Sequence, residues 1–288
     1  MPRYRLLAID LDGTLLSSRR EIPEENLLAI RVAAREGVAI AIVTGRRFPA
    51  LRPYVEPLGI DCFIVANSGA IIRDGLSGPI LLRRLLSLDT AIAVLELSLR
   101  EQMEPILHDG PDAEGHLILR ASAKGLASLG RYLNKTSPPP RFVDAIELRR
   151  APVQVGFTAS VERIRSFEAE ILATLRERGL AASLARTEYV EEDLALLDVL
   201  ATGATKSKAL EFLCRRMGIG MESAMAIGDN WNDLEMLESA GLGVLMANAA
   251  DELKRRRLAL TLTNDEAGVA FAIRRYLLEE EVRGEAGG

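Results

Sequence analysis

Cysteine, tryptophan and histidine are scarce in this 288-residue chain, which holds 2, 1 and 2 of them. Cys62 and Cys214 are too few and too far apart for a disulfide framework. Each lies in an apolar run, so both read as buried free thiols of a reducing compartment. No excess of basic charge is present either: 36 Lys and Arg face 41 Asp and Glu, for a net charge of −5. With a pI near 5.4 the chain has no electrostatic field for nucleic acid or an anionic membrane surface. No apolar run approaches the length of a membrane span. No leader is expected before the first strand, since Tyr4–Ile9 enters it at once, and the expected location is the cytoplasm. Internal repeats are absent. The 48% of hydrophobic residues in a chain of this length can fill two cores.

What is present is concentrated at the ends of short apolar runs. Residues 7–16, Leu-Ala-Ile-Asp-Leu-Asp-Gly-Thr-Leu-Leu, place Asp10 and Asp12 where a buried strand breaks on Gly13. Carboxylates at the carboxyl end of such a strand lie in the crevice where open α/β sheets bind ligands, and two of them can share a cation. Val38–Val43 is a β-branched apolar strand ending at Thr44-Gly45-Arg46, and Ser223–Ile227 is another, ending at Gly228-Asp229-Asn230-Trp231-Asn232-Asp233. Lys206 opens the helical pattern that continues through Ala209–Met217. Two strand-end acids, a strand-end Thr-Gly, a helix-start lysine and an acidic Gly-Asp-Asn loop suit one task, holding Mg²⁺ and a phosphoryl group.

These four clusters, in this order, resemble the motifs of the haloacid dehalogenase-like (HAD) phosphohydrolases, and within them the Cof-type sugar-phosphate phosphatases. Asp10–Leu15 looks like the first motif, Thr44-Gly45-Arg46 the second, Lys206 the third and Gly228–Asp233 the fourth; Ala240–Val244 and Thr263–Val269 look like later segments of the subfamily. The chain departs from the subfamily pattern at Ser207 and Ala247, each in place of a glycine, and at Asn67-Ser68-Gly69-Ala70, where the turn is usually Asn-Gly-Ala. None of these removes a charged group.

The resemblance implies an α/β fold, a doubly wound Rossmann-like parallel-sheet core with an inserted smaller α/β cap domain. The core is expected at residues 1–83 and 196–288 and the cap at 84–195. In the core, Pro23–Arg35 carries apolar residues at helical spacing and Gly37 ends it, and the strand, helix, strand order repeats through Arg47–Leu58 and Cys62–Ala66. In the cap, Leu88–Arg100 and Val161–Arg178 are the clearest helices, the second with Ser160 as N-cap. Pro138-Pro139-Pro140, after Asn134-Lys135-Thr136-Ser137, reads as a stiff loop, and Glu279–Gly288 as a fraying tail. His108 and His116 bracket a Gly- and Pro-rich stretch that reads as a polar loop rather than a metal site. Lys254–Arg257 reads as a solvated helix end, and Trp231 is given no role.

The implied activity is hydrolysis of a phosphate monoester. In that pattern Asp10 attacks phosphorus to form an aspartyl-phosphate, Asp12 protonates the leaving oxygen and then activates water, and Lys206 neutralises phosphate charge. Mg²⁺ takes the Asp10 carboxylate, the Asp12 backbone carbonyl and Asp229 as protein ligands. Thr44, Gly45, Arg46 and Asn232 are the expected phosphate or substrate contacts, and Asp233 supports Lys206 or the metal from behind. The partner implied is a small phosphorylated metabolite, with no nucleic acid, no membrane and no obligate protein partner. A phosphomutase of the same superfamily and a non-catalytic module that senses a phosphorylated ligand stand as alternatives. The intact Asp12 favours an enzyme, because a sensor has no proton to handle.

Overall fold

The computed structural model describes residues 2–110, 116–124, 126, 129 and 139–278. The first apolar run forms β1 (Leu6–Asp10), buried throughout. It pairs in parallel with β2 (Ala39–Val43) on one side and β12 (Ala224–Gly228) on the other. A strand flanked on both sides and covered on both faces has no position for a solvated side chain, which is why these segments read as unbroken apolar runs.

The full order of this sheet is β14 (Ala259–Leu260), β13 (Leu242–Leu245), β12, β1, β2, β3 (Phe63–Ala66), β4 (Ile71–Asp74) and β5 (Ile80–Arg83). It is parallel from β14 to β3, and β4 pairs antiparallel with both β3 and β5. Chain order reverses at β1, since β2 and β3 continue to one side and β12 to β14 to the other. That reversal opens the crevice at the carboxyl ends. Alternate residues of β1 serve two cores. Leu7 and Ile9 pack with Ala29, Ile30 and Ala33 of α1 (Glu24–Arg35), and Leu6 and Ala8 pack with residues of two helices on the other face.

The segment expected as one helix over Arg47–Leu58 is three short turns, Phe48–Ala50, α2 (Arg52–Val55) and Glu56–Leu58. Pro49, Pro53 and Pro57 each remove a backbone donor, so every turn restarts at a proline.

A second, six-stranded sheet has the order β10 (Ser183–Tyr189), β11 (Leu194–Leu200), β9 (Gln154–Ala159), β6 (Ile106–His108), β7 (Leu117–Arg120) and β8 (Arg141–Val143). All of its pairs are antiparallel except β7 with β8. Its last strand, β11, straddles the boundary expected at residue 195. Two amphipathic helices cover one face, α3 (Leu88–Arg100) and α4 (Val161–Glu177), and Phe157 meets Phe167 edge-on at 4.9 Å. Ser87 and Ser160 cap them, accepting from the Thr90 and Arg163 amides at 3.2 and 3.3 Å. His108, at the near end of the stretch read as a polar loop, stands on β6 and is buried. Residues 111–115, Asn134–Pro138 and 279–288 lie outside the described residues. Among the described residues no helix is long and apolar enough to cross a membrane.

Both cysteines are buried and unbridged, and burial pushes the Cys62 thiol up to about 12 and the Cys214 thiol up to about 11. At pH 8 the Cys62 thiolate is then present in roughly one molecule in ten thousand. The native protein is therefore expected to resist a thiol-specific chromogenic reagent that titrates both cysteines in denaturant. Rapid native labelling of either one would contradict this packing.

Candidate active site

Three neighbouring strands end side by side. Asp10 closes β1 opposite Val43, Thr44 follows β2, and Asp229 follows Gly228 at the end of β12. The fourth element is α5 (Lys206–Arg216), capped by Thr205, whose hydroxyl accepts from the Lys208 amide at 3.2 Å. Lys206 reaches under the strand ends, and its Nζ donates to Asp10 Oδ1 at 2.6 Å and to Asp233 Oδ1 at 2.5 Å. All three side chains are buried, Lys206 to 2%, Asp10 to 4% and Asp233 to 0% exposure, so the ammonium stays charged only because carboxylates replace its water.

The charges do not balance. Burial, and then Asp233, push Asp10 up to about 7 against the opposing pull of Lys206. Burial, Asp10 and Asp233 likewise hold Asp229 well above the usual carboxylate range. One ammonium among three carboxylates leaves a surplus of negative charge, and carboxylate oxygens of Asp10, Asp229 and Asp233 lie within 4.8 Å of one another. An all-oxygen set with surplus negative charge fits a hard divalent cation such as Mg²⁺. Asp233 is the most committed of the three: Oδ1 takes Lys206, and Oδ2 accepts the Asp229 and Asn230 amides at 3.1 and 3.0 Å. That leaves Asp10 and Asp229 to face a cation. Asp229 Oδ1 accepts the Thr14 hydroxyl at 2.9 Å, and a Cβ on Gly13, whose φ is +81°, would lie 2.3 Å from Asp229 Oδ2. Only glycine leaves that carboxylate in place.

Arg46, expected among the phosphate or substrate contacts, lies on Asp12 in this structure. Its Nε and Nη2 fork grips both Asp12 oxygens at 2.7 and 2.5 Å, and its guanidinium stands 4.6 Å from the centre of the Tyr54 ring. Thr44 is buried, and its Oγ1 accepts the Arg46 amide at 3.1 Å, which leaves the hydroxyl proton for another partner. Asn232 Oδ1 is buried and has no hydrogen-bond partner among the described residues.

A family model described as haloacid dehalogenase-like hydrolase matches residues 7–273. The chain belongs to this family. It is a Cof-type hydrolase of the phosphatase class, 31% identical to Phosphatase YwpJ of Bacillus subtilis over 95% of this chain and 100% of the relative. It is 31% identical to the 5-amino-6-(5-phospho-D-ribitylamino)uracil phosphatase YcsE of the same organism, over 95% and 96% of the two chains. The crystal structure of a haloacid dehalogenase-like hydrolase from Bacteroides thetaiotaomicron superposes with a TM-score of 0.75 at 27% identity, covering 94% of this chain and 99% of that one.

The structure of the hydrolase adds contacts that its motifs do not announce. Asn230 joins the two sheets, its Oδ1 accepting the Glu188 amide and its Nδ2 donating to the Glu188 carbonyl, both at 3.0 Å. Arg186 of the same strand stands 5.8 Å from the centre of the Trp231 ring. Asn67 makes a second bridge, donating to Gln154 Oε1 at 3.0 Å with His108 Nδ1 at 3.3 Å. Of the departures from the subfamily, Ser207 pairs its hydroxyl with that of Ser239 on α6 (Leu234–Ser239) at 2.9 Å, and Ala247 donates only its amide, to the Leu262 carbonyl at 3.2 Å.

Burial, and then the charge of Arg47, hold the His108 imidazole well below its ordinary 6.5. In the folded state it stays neutral, whereas in the unfolded chain it takes a proton below about pH 6.5. The folded state therefore loses stability as pH falls through that range, by up to about 1.4 kcal/mol per pH unit from this residue. Denaturant titrations at pH 7.5 and pH 5 should show a smaller acid loss for His108→Gln than for the wild type, and equal losses would refute the assignment. A Gly13→Ala substitution should leave the far-ultraviolet spectrum unchanged while displacing Asp229, which predicts a fall of at least about 100-fold in turnover.

Proposed function

We propose that this hydrolase is a Mg²⁺-dependent phosphatase of the cytoplasm that hydrolyses phosphate monoesters of small metabolites, sugar phosphates foremost, through a phosphorylated Asp10. The observation that carries the reading is the Lys206 ammonium clasped between Asp10 and Asp233, with Asp229 beside them. This arrangement holds Asp10 Oδ1 on the ammonium and leaves Oδ2 as the nucleophile of this reading. The relative named as a phosphatase of a phospho-ribitylamino compound supports the substrate class, and the two free thiols support the compartment.

In the first step an Asp10 oxygen bonds to phosphorus, the ester P–O bond breaks, and Asp12 gives a proton to the departing oxygen. In the second a water attacks phosphorus, Asp12 takes its proton, and the bond from Asp10 to phosphorus breaks to release inorganic phosphate. Asp12 has both oxygens in the Arg46 fork, so proton delivery requires one of those bonds to be given up. That makes Arg46 a positioning residue for Asp12. Thr44, whose hydroxyl proton is uncommitted, and the Gly45 amide serve the phosphoryl oxygens, Lys206 offsets their charge, and Asn232 completes the phosphate contacts. Bound Mg²⁺, held by Asp10, Asp229 and the Asp12 carbonyl, would supply the positive charge that lets an anionic nucleophile approach an anionic phosphate.

Phosphate release from a panel of sugar phosphates, nucleotides and phosphorylated cofactors, with and without Mg²⁺, tests the reading, with Asp10→Asn as blank. Metal-dependent release that the variant lacks is expected, and equal release by the variant would sink the covalent route. Asp12→Asn should lower kcat by roughly 100-fold to 10,000-fold. Lys206→Met strands two buried carboxylates and should cost about 3–5 kcal/mol in denaturant titration together with nearly all turnover. Unchanged stability and rate would return Lys206 to an ordinary helix-start lysine.

A further inference from the structure

We infer that the turn Asn67–Gly69 is a positioning element that ties the placement of the second sheet to the geometry of Thr44 and Lys206. The inference rests on the reading of those two residues as the phosphate-binding groups. The turn belongs to none of the four catalytic clusters, yet it touches two of them and the second sheet at once.

Its backbone is held in an unfavourable form. Asn67, Ser68 and Gly69 all have positive φ, at 49°, 52° and 102°. Consecutive left-handed residues, two of them with a Cβ, persist only where their surroundings over-determine them. Those surroundings are the site. The Asn67 amide donates to the Arg46 carbonyl and the Ser68 amide to the Thr44 carbonyl, each at 2.9 Å. Ser68 Oγ lies 3.3 Å from where a Cβ on Gly45 would stand. On the other flank a Cβ on Gly69 would lie 2.4 Å from the Thr205 carbonyl oxygen, so the turn presses against the residue that precedes Lys206. A shift of this turn therefore moves the Thr44–Arg46 loop and the start of α5 together.

The third contact comes from the other sheet. Asn67, His108 and Gln154 are buried to 3%, 2% and 0% exposure. His108 and Gln154 face each other as register partners on β6 and β9. The Asn67 amide nitrogen donates to Gln154 Oε1 and meets His108 Nδ1, which accepts when the imidazole carries its proton on Nε2. While the sheets are closed no water can replace these partners, so the form of the turn is tied to the seating of the second sheet over it. The coupling is a contiguous chain of hydrogen bonds and backbone contacts running from β9 through Asn67 to Thr44 and Thr205.

Two variants separate the amide link from the backbone form. Asn67→Gly keeps a residue at ease with positive φ and removes the side chain, and Gln154→Leu removes the acceptor from the second sheet without touching the first. In each, hydrogen exchange of the Thr44, Arg46, Ser68 and Lys208 amides should rise at least about tenfold, while the β12 amides keep wild-type protection. Binding of orthovanadate in the presence of Mg²⁺, read by calorimetry, should weaken by about tenfold. Exchange at these amides that stays at the wild-type rate in folded Asn67→Gly would overturn the inference, and that variant decides the matter if Gln154→Leu does not fold. Faster exchange in the variants, together with a wild type that fails to bind orthovanadate, would uphold the mechanical link and overturn its assignment to phosphate binding.

Discussion

Three separate stretches of chain meet at one dehydrated ammonium. Lys206 is the first residue of a helix, Asp10 the last of a central strand, and Asp233 lies in the loop after the next strand over. None of the three charges tolerates its depth alone, so the fold can bury them only as a set, and the set fixes where the helix begins relative to the sheet. Asp233 carries the constraint further. Its second oxygen orders the Asp229 and Asn230 amides, and Asn230 in turn reaches the backbone of the second sheet. The same charge that serves phosphate binding in the proposed reaction is thus the support of the loop that would hold the metal.

Two of the contacts between the two sheets share a chemistry. At Asn230 and at Asn67 a side-chain amide makes the connection, and an amide suits the task because it carries a donor and an acceptor without charge. Asn230 uses both on a single peptide group, while Asn67 uses its donor side on Gln154 and His108. A charged residue at either place would bring a desolvation cost each time the sheets meet. The uncharged link permits contact and separation at lower cost.

The parts of the site that could be read beforehand are those whose position follows from local chain direction. Asp10, Thr44 and Asp229 each stand at the end of an apolar run, and the end of a buried parallel strand is a place that sequence pattern locates. Lys206 is marked in the same way by its place at the start of a helical pattern. What stayed hidden depends on which distant segments touch. The grip of Arg46 on Asp12, 34 residues away, is one such contact. Asn67 and Gln154 are 87 residues apart, and the meeting of His108 with Asn67 depends on the same distant approach. The Arg47–Leu58 stretch followed the strand, helix, strand rhythm, but its evenly spaced prolines were the stronger signal and break it into turns.

The Asn230 clasp has a bearing on how the protein behaves in a crowded solution. Among the described residues β10 is the outermost strand of its sheet, and one edge of its peptide backbone has no further strand to pair with. At Glu188 that open ladder is closed by an asparagine borrowed from the other sheet, which denies a neighbouring molecule a place to add a strand of its own. Whatever separates the two sheets also bares this stretch of ladder. A chain held apart for long would therefore be exposed to self-association through β10, and tight seating of the sheets guards solubility as well as chemistry.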